Sequence, residues 1–98
     1  NDWEISGKQL NHALSDLPEV NPEHIRNGLY DEADHEAVRK RLERADRVIF
    51  SFETNDQGMS DKGFQEMYKI REELARLEVD ITNSLSGMRE DFHSRFHR

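Results

Sequence analysis

A single stripe of apolar residues runs through the C-terminal third of the sequence. Its ten members are spaced by three or four residues, and they are Phe64, Met67, Ile70, Leu74, Leu77, Ile81, Leu85, Met88, Phe92 and Phe96. At 100° per residue these positions fall within an arc of about 140°, the width of a helix surface that faces a core. The stripe therefore predicts one helix over residues 60–97, which at 1.5 Å per residue would be roughly 55 Å long.

A second amphipathic segment precedes this helix. Its apolar residues share one helical face, and they are Val38, Leu42, Ala45, Ile49 and Phe52. Turn-forming residues between 53 and 60 separate the two segments, and a short connection places consecutive helices side by side. The sequence therefore predicts an antiparallel helical hairpin with helices at about 32–54 and 60–97.

The N-terminal third predicts two short helices packed on this hairpin. Ser6 is a suitable N-cap for the first, which we expect to end before Pro18. Asn21 followed by Pro22 starts the second, and Gly28 is a suitable end for it. The predicted fold is all-α, in one helical domain over residues 1–98. Within it, residues 1–5 form an arm, 6–30 the short helices and 31–97 the hairpin.

The two hairpin helices differ in length, and this difference points to a function. In an antiparallel pairing the shorter helix ends at about the level of Ile81. The longer helix then extends past it by roughly 20 Å, and we call this part the overhang. Four apolar residues lie on this overhang: Leu85, Met88, Phe92 and Phe96. We expect them to be covered by the short N-terminal helices or by a second chain. Gly87 lies among them and could break the helix, in which case the last residues would fold back.

Composition narrows the class of protein. The chain has 98 residues, no cysteine, 34% hydrophobic and 36% charged residues, and a net charge of −7. The absence of cysteine excludes disulfides and thiolate catalysis. No apolar run approaches the roughly 18 residues that cross a bilayer, and no signal peptide is visible, so we expect a soluble, cytoplasmic protein. No catalytic or nucleotide-binding motif is present, which predicts a non-enzyme without a cofactor.

These features favour a helical protein–protein interaction module, such as an adaptor, a small chaperone or a regulatory subunit. It would bind a partner helix, or a second copy as a homodimer, through the C-terminal apolar seam. The expected anchors are Leu85, Met88, Phe92 and Phe96. Arg44 and Arg47 would set the electrostatic preference for the partner.

Two alternatives remain open at the sequence level. A basic segment between Arg39 and Arg47 suggests a regulator that binds nucleic acid, although a net charge of −7 would repel a polyanion. A second alternative is a metal-responsive protein. Its candidate ligands are weak ones, and their spacing of three and four residues would place them on one face of a helix: Glu90, His93 and His97. The metal alternative predicts stabilisation by zinc, and the nucleic-acid alternative predicts binding that weakens steeply with salt.

Overall fold

The computed structural model describes residues 2–55 and 59–96, with the side chains of residues 6–55 and 59–88. Its described part contains four helices and no strand: α1 (Asp2–Leu14), α2 (Pro22–Asn27), α3 (Glu32–Thr54) and α4 (Asp61–Phe96). The predicted all-α class and the predicted hairpin are confirmed, and both hairpin helices have the expected bounds to within one residue. None of the helices in the described residues is long and apolar enough to cross a membrane.

The first helix begins earlier than predicted. It starts at Asp2, so residues expected to form an arm belong to its first turns, and Ser6 lies within the helix instead of capping it. Ser6 itself is buried. The helix packs against both α3 and α4.

The second helix has both predicted caps. The Asn21 side chain accepts a hydrogen bond from the backbone N–H of Glu23, at 2.9 Å, and Pro22 occupies the first helical position. Gly28 ends the helix with φ at +67°, a left-handed conformation that glycine adopts without the steric cost of a Cβ. No residue of α2 is buried, so the helix is held by the residues that flank it.

Apolar residues of α3 and α4 meet near the turn that joins the two helices. Ile49 and Met67 are buried in the same cluster, and Phe52 and Phe64 pack against it. On the surface, Arg71 of α4 forms an ion pair with Asp46 of α3 at 2.5 Å. Tyr68 donates a hydrogen bond to Glu53 nearer the turn. Ser60 caps α4, since its hydroxyl accepts the N–H of Gly63.

Two apolar clusters form the core. The cluster nearer the turn contains Leu10 and Leu14 of α1 against Ala45, Ile49 and Met67. The other contains Val20, Tyr30, Ala37, Val38 and Ile81, with Leu74, Leu77 and Leu85 packed around it. The N-terminal third therefore covers most of the hairpin, first with α1 and then with the two residues that flank α2.

The fourth helix continues well beyond its partner. It passes through Gly87 without a break and ends at Phe96. The Asp46–Arg71 ion pair shows which residues of α3 and α4 lie side by side. The helix α3 begins at Glu32, fourteen residues before Asp46. In an antiparallel pair its start is therefore level with Leu85, fourteen residues after Arg71. The last eleven residues of α4 thus project by roughly 17 Å. The elongated dimensions of the molecule, 60 × 24 × 20 Å, reflect this projection.

Candidate interaction surfaces

The projecting end of α4 contains the four predicted anchor residues. Leu85 is half-buried, because it packs against the second core cluster. Part of its covering therefore comes from this chain, whose second cluster includes Val20 and Tyr30 beside the short helix α2. The sequence had left open whether the short N-terminal helices or a second chain would cover it. One turn later Met88 is 55% exposed. Phe92 and Phe96 lie outside the described side chains.

Arg44, predicted to select a partner, is engaged within the chain. Its Nη1 donates hydrogen bonds to the carbonyl of Ala13 and to the Asp16 carboxylate, each at 3.0 Å. Arg41 acts in the same way, and donates to the carbonyls of Leu14 and Leu17 at 3.0 and 3.3 Å. The last carbonyls of a helix have no partner within the helix, and a cation there also complements the dipole. These two arginines therefore cap the C-terminus of α1.

The remaining cations of the basic segment pair with acids on their own helix. Arg39 and Lys40 both contact Glu36, at 3.0 and 3.8 Å, and Arg47 contacts Glu43 at 2.9 Å. The hydrogen bond and the charge of Arg39 hold the pKa of Glu36 below its usual value. All five basic side chains of the segment thus have an acceptor inside the chain.

The structure brings together a polar cluster that the sequence patterns did not reveal. Asp34, only 3% exposed, accepts hydrogen bonds from the backbone N–H groups of Asn21 and Asp31, at 3.1 and 2.9 Å. Its Oδ2 also lies 2.6 Å from Nδ1 of His24. In return, Asp31 accepts the N–H of Asp34 in a capping box at the start of α3. Asp34 therefore fastens α2 to α3.

Burial and hydrogen bonding act on Asp34 in opposite directions. Burial alone would raise the pKa of this carboxyl group, since it disfavours the charged form. The hydrogen bonds from Asp31, His24 and Asn21 outweigh burial, so the pKa lies below its ordinary value. Nothing in the local sequence pattern placed His24 against Asp34, because that contact spans ten residues.

Ligand atoms of His24, Asp31 and Asp34 lie within 4.8 Å of one another, a spacing that a metal ion could bridge. Both Asp34 oxygens already accept hydrogen bonds from the chain, and an ion would have to displace these donors. These hydrogen bonds of Asp34 therefore have a structural role, and we call Asp34 with its donors from Asn21, His24 and Asp31 the clasp. The metal ligands suggested by the sequence, Glu90, His93 and His97, lie outside the described side chains.

A shallow groove runs along α4 beside α1. It consists of two adjoining depressions of about 340 and 330 Å³ that share Glu66 and Lys69. The residues that line them are Gly7, Lys8, Asn11, Lys62, Gln65, Glu66, Lys69, Ile70 and Glu73. The lining is mostly charged, with Ile70 as its large apolar residue. Sequence reasoning missed this groove because it depends on where α1 packs.

Comparison with known proteins gives no relative from which a function could be transferred. The chain matches no protein-family model, no curated protein and no solved structure. The two surfaces described above, at opposite ends of α4, are therefore the basis for functional proposals.

Proposed function

We propose that this chain is a non-enzymatic helical interaction module that binds a helix of a protein partner. The partner would pack against the projecting end of α4, the segment from Leu85 to Phe96. Such a role is typical of adaptors, small chaperones and regulatory subunits. Binding would use the pattern of an amphipathic helix, with anchors at spacings of three and four residues.

The observation that carries this proposal is that Met88 is exposed on a part of α4 that extends past the hydrophobic core. Leu85 is the last apolar residue of the described stripe that the chain's own core covers, and Met88 lies one turn beyond it with 55% of its surface exposed. The helix then continues for two more turns, and the sequence places Phe92 and Phe96 on the same stripe. Methionine suits such a surface, since its flexible side chain adapts to different partners.

Helix geometry also supports the proposal. A second helix needs access along several turns of the first, and the projection offers roughly 17 Å of α4 past the start of α3. Because the helix is continuous through Gly87, the apolar positions before and after this residue stay on one face. A break at this glycine would have separated them.

Site-specific photo-crosslinking tests this proposal. A photoreactive phenylalanine analogue is placed at Met88 in one protein and at Val79 in a matched control, since both side chains are 55% exposed and both lie on α4. Each protein is irradiated in an extract of cells that express the chain. We expect position 88 alone to form a discrete conjugate, whose crosslinked peptide belongs to a helix of one partner.

Competition establishes whether the conjugate is specific. An excess of unlabelled wild-type chain should abolish it, whereas an excess of the Met88→Asp or Phe92→Asp variant should not, provided circular dichroism shows that these variants keep their helices. Equal, diffuse labelling from positions 88 and 79 would contradict the proposal. Conjugates that contain only copies of this chain would contradict a separate partner.

A further inference from the structure

Four charged residues of α4 form a stripe of alternating sign along the groove. Lys62, Glu66, Lys69 and Glu73 are spaced by four, three and four residues and fall within about 60° of arc at 100° per residue. Three of them are exposed and Glu66 is half-buried. We call these four residues the charge stripe.

None of the four side chains of the charge stripe forms an ion pair with another residue that the structure describes. Among the described side chains, every arginine except Arg41 forms an ion pair, and Arg41 is bound to backbone carbonyls. Lys40 is paired as well. The described lysines without an ion pair are Lys8, Lys62 and Lys69, and all three line the groove. The lysines and arginines with described side chains that contact neither an acid nor a backbone carbonyl are therefore all on this face.

We propose that this face is a homodimer interface, in which two copies of the chain pack their charge stripes antiparallel across a two-fold axis. Along α4 the charge stripe reads positive, negative, positive, negative, and in an antiparallel copy it reads negative, positive, negative, positive. The spacing of four, three and four residues is the same in both directions, so each charge faces an opposite one. Lys62 would therefore meet Glu73 of the partner subunit, and Glu66 would meet Lys69 of the partner subunit. A two-fold axis repeats each pair, so four ion pairs form from one surface.

The shape of the groove suits such a contact. Gly7 has no side chain, and an added Cβ there would lie 3.1 Å from Cγ of Glu66, so glycine leaves room between α1 and α4. The aliphatic parts of Lys62 and Lys69 from one copy can fill the depressions of the other, while their charged ends reach the opposing acids. The dimer would be held mainly by exposed ion pairs, and so it should be weak and sensitive to salt.

The alternation continues to Arg76 and Asp80, which defines a second possible register. In that register Lys62 would face Asp80 of the partner subunit. Arg76, however, already lies 3.6 Å from Glu72 of its own helix. The first register uses only charges that lack an internal partner, so it is the one we assign.

Sedimentation equilibrium of the full chain at about 20 mM salt tests the interface. We expect a monomer–dimer equilibrium for the wild type that shifts to monomer at about 500 mM salt. Lys62→Glu and Glu73→Lys should each weaken dimerisation about tenfold or more, because each change replaces two attractive pairs by two repulsive ones. The double variant Lys62→Glu with Glu73→Lys should restore the wild-type dimer, since the swapped charges again face each other.

Rescue by the double variant is diagnostic of the antiparallel contact. Positions 62 and 73 are eleven residues apart, roughly 16 Å along the helix, so they cannot compensate each other within one copy. Lys62→Glu also places an acid in the first turn of α4, where the helix dipole favours it, so a loss of dimer would not reflect unfolding. Circular dichroism checks this for every variant.

A second double variant tests the register. Lys62→Glu combined with Asp80→Lys should stay monomeric, and rescue by this combination would overturn the assigned pairing. A wild-type chain that is monomeric at low salt and at concentrations near 1 mM would overturn the interface itself. So would a dimer that neither single variant weakens.

Discussion

At the scale of single residues, Asp34 shows how a capping side chain becomes a tertiary contact. Its carboxylate belongs to the capping box of α3, and it also receives the N–H of Asn21 and the ring of His24 from the segment before it. A buried carboxylate that accepts several hydrogen bonds is stabilising only while it is ionised. One side chain therefore links the cap of α3 to the position of α2.

We predict that Asp34→Asn lowers the free energy of unfolding by about 2–3 kcal/mol at pH 7, since an amide has one acceptor oxygen instead of two. The pKa of Asp34 is lowered in the folded state, so its stabilisation is complete above the unfolded pKa of about 3.9 and is lost as the pH falls through the folded value. The difference in the free energy of unfolding between wild type and variant should therefore narrow below about pH 4. Urea denaturation of both proteins over pH 2–7 measures this difference.

The matched control for this change is Glu19→Gln, at an exposed carboxylate. It should alter the free energy of unfolding by less than about 0.5 kcal/mol at every pH. An Asp34→Asn protein as stable as the wild type at pH 7 would show that the clasp contributes nothing to folding.

Two glycines of α4 should respond to alanine in opposite directions. A Cβ at Gly63 would lie 2.7 Å from both Cγ of Met59 and Oγ of Ser6, whereas one at Gly87 would meet no atom within 4 Å. We predict that Gly63→Ala destabilises the protein by about 1–3 kcal/mol through overpacking. Gly87→Ala should stabilise it by about 1 kcal/mol through helix propensity.

Thermal or urea unfolding of the two glycine variants compares them directly, since the substitution and the helix are the same. The propensity gain operates at both sites, so the close packing of Ser6 and Met59 around Gly63 is what gives Gly63→Ala the opposite sign. If both variants were stabilised, these two side chains would not approach Gly63 as closely as the structure shows.

At the scale of elements, the first helix is held in place by arginines of α3. Leu10 and Leu14 bury its apolar face, and the guanidinium groups of Arg41 and Arg44 bind its last carbonyls. The N–H of Leu17 also bonds to the Leu14 carbonyl, but the charged donors to the carbonyls of Ala13 and Leu14 come from α3. The basic segment of α3 thus has a structural role in assembling the three-helix region.

We predict that Arg41→Ala lowers the free energy of unfolding by about 1–2 kcal/mol, because it leaves the carbonyls of Leu14 and Leu17 without their charged donor. Arg39→Ala is the control on the same helix, as its exposed pair with Glu36 should contribute about 0.5 kcal/mol or less. Hydrogen exchange should locate the effect of Arg41→Ala in α1. Equal effects of the two variants would contradict the capping role.

Elements were the level at which the sequence was most informative. The three-and-four spacing fixed α3 and α4 to within one residue, and the Asn21–Pro22 and Gly28 signals fixed α2. The start of α1 was missed, since Ser6 has the chemistry of a cap but lies buried inside the helix. Capping rules use only neighbouring residues and so do not predict this burial. Ser6 packs close to Gly63, which is distant in sequence: a Cβ added at Gly63 would lie 2.7 Å from the Ser6 hydroxyl.

At the scale of the whole molecule, the two proposed surfaces lie far apart on the same helix. Lys62 and Met88 are separated by 26 residues, roughly 39 Å along α4. An antiparallel dimer through the charge stripe would point the two projecting ends of α4 in opposite directions. Each dimer would then offer two separate sites to helical partners.

This separation predicts that the two surfaces are independent. Met88→Asp should leave the sedimentation behaviour at low salt unchanged, and Lys62→Glu should leave crosslinking from position 88 unchanged, because distant sites without shared contacts act additively. Testing each variant in the other assay checks this. Loss of both activities in either variant would indicate that both assays report one surface.

The sequence by itself determined the four helices, the antiparallel hairpin and the excess length of α4, because apolar periodicity and capping residues are local properties of the chain. Only the tertiary structure decided the roles of the charged residues. Arg44 caps α1, Asp34 holds α2, and the charge stripe is left without internal partners. Long polar side chains can reach many groups, and which one they meet depends on how the helices pack.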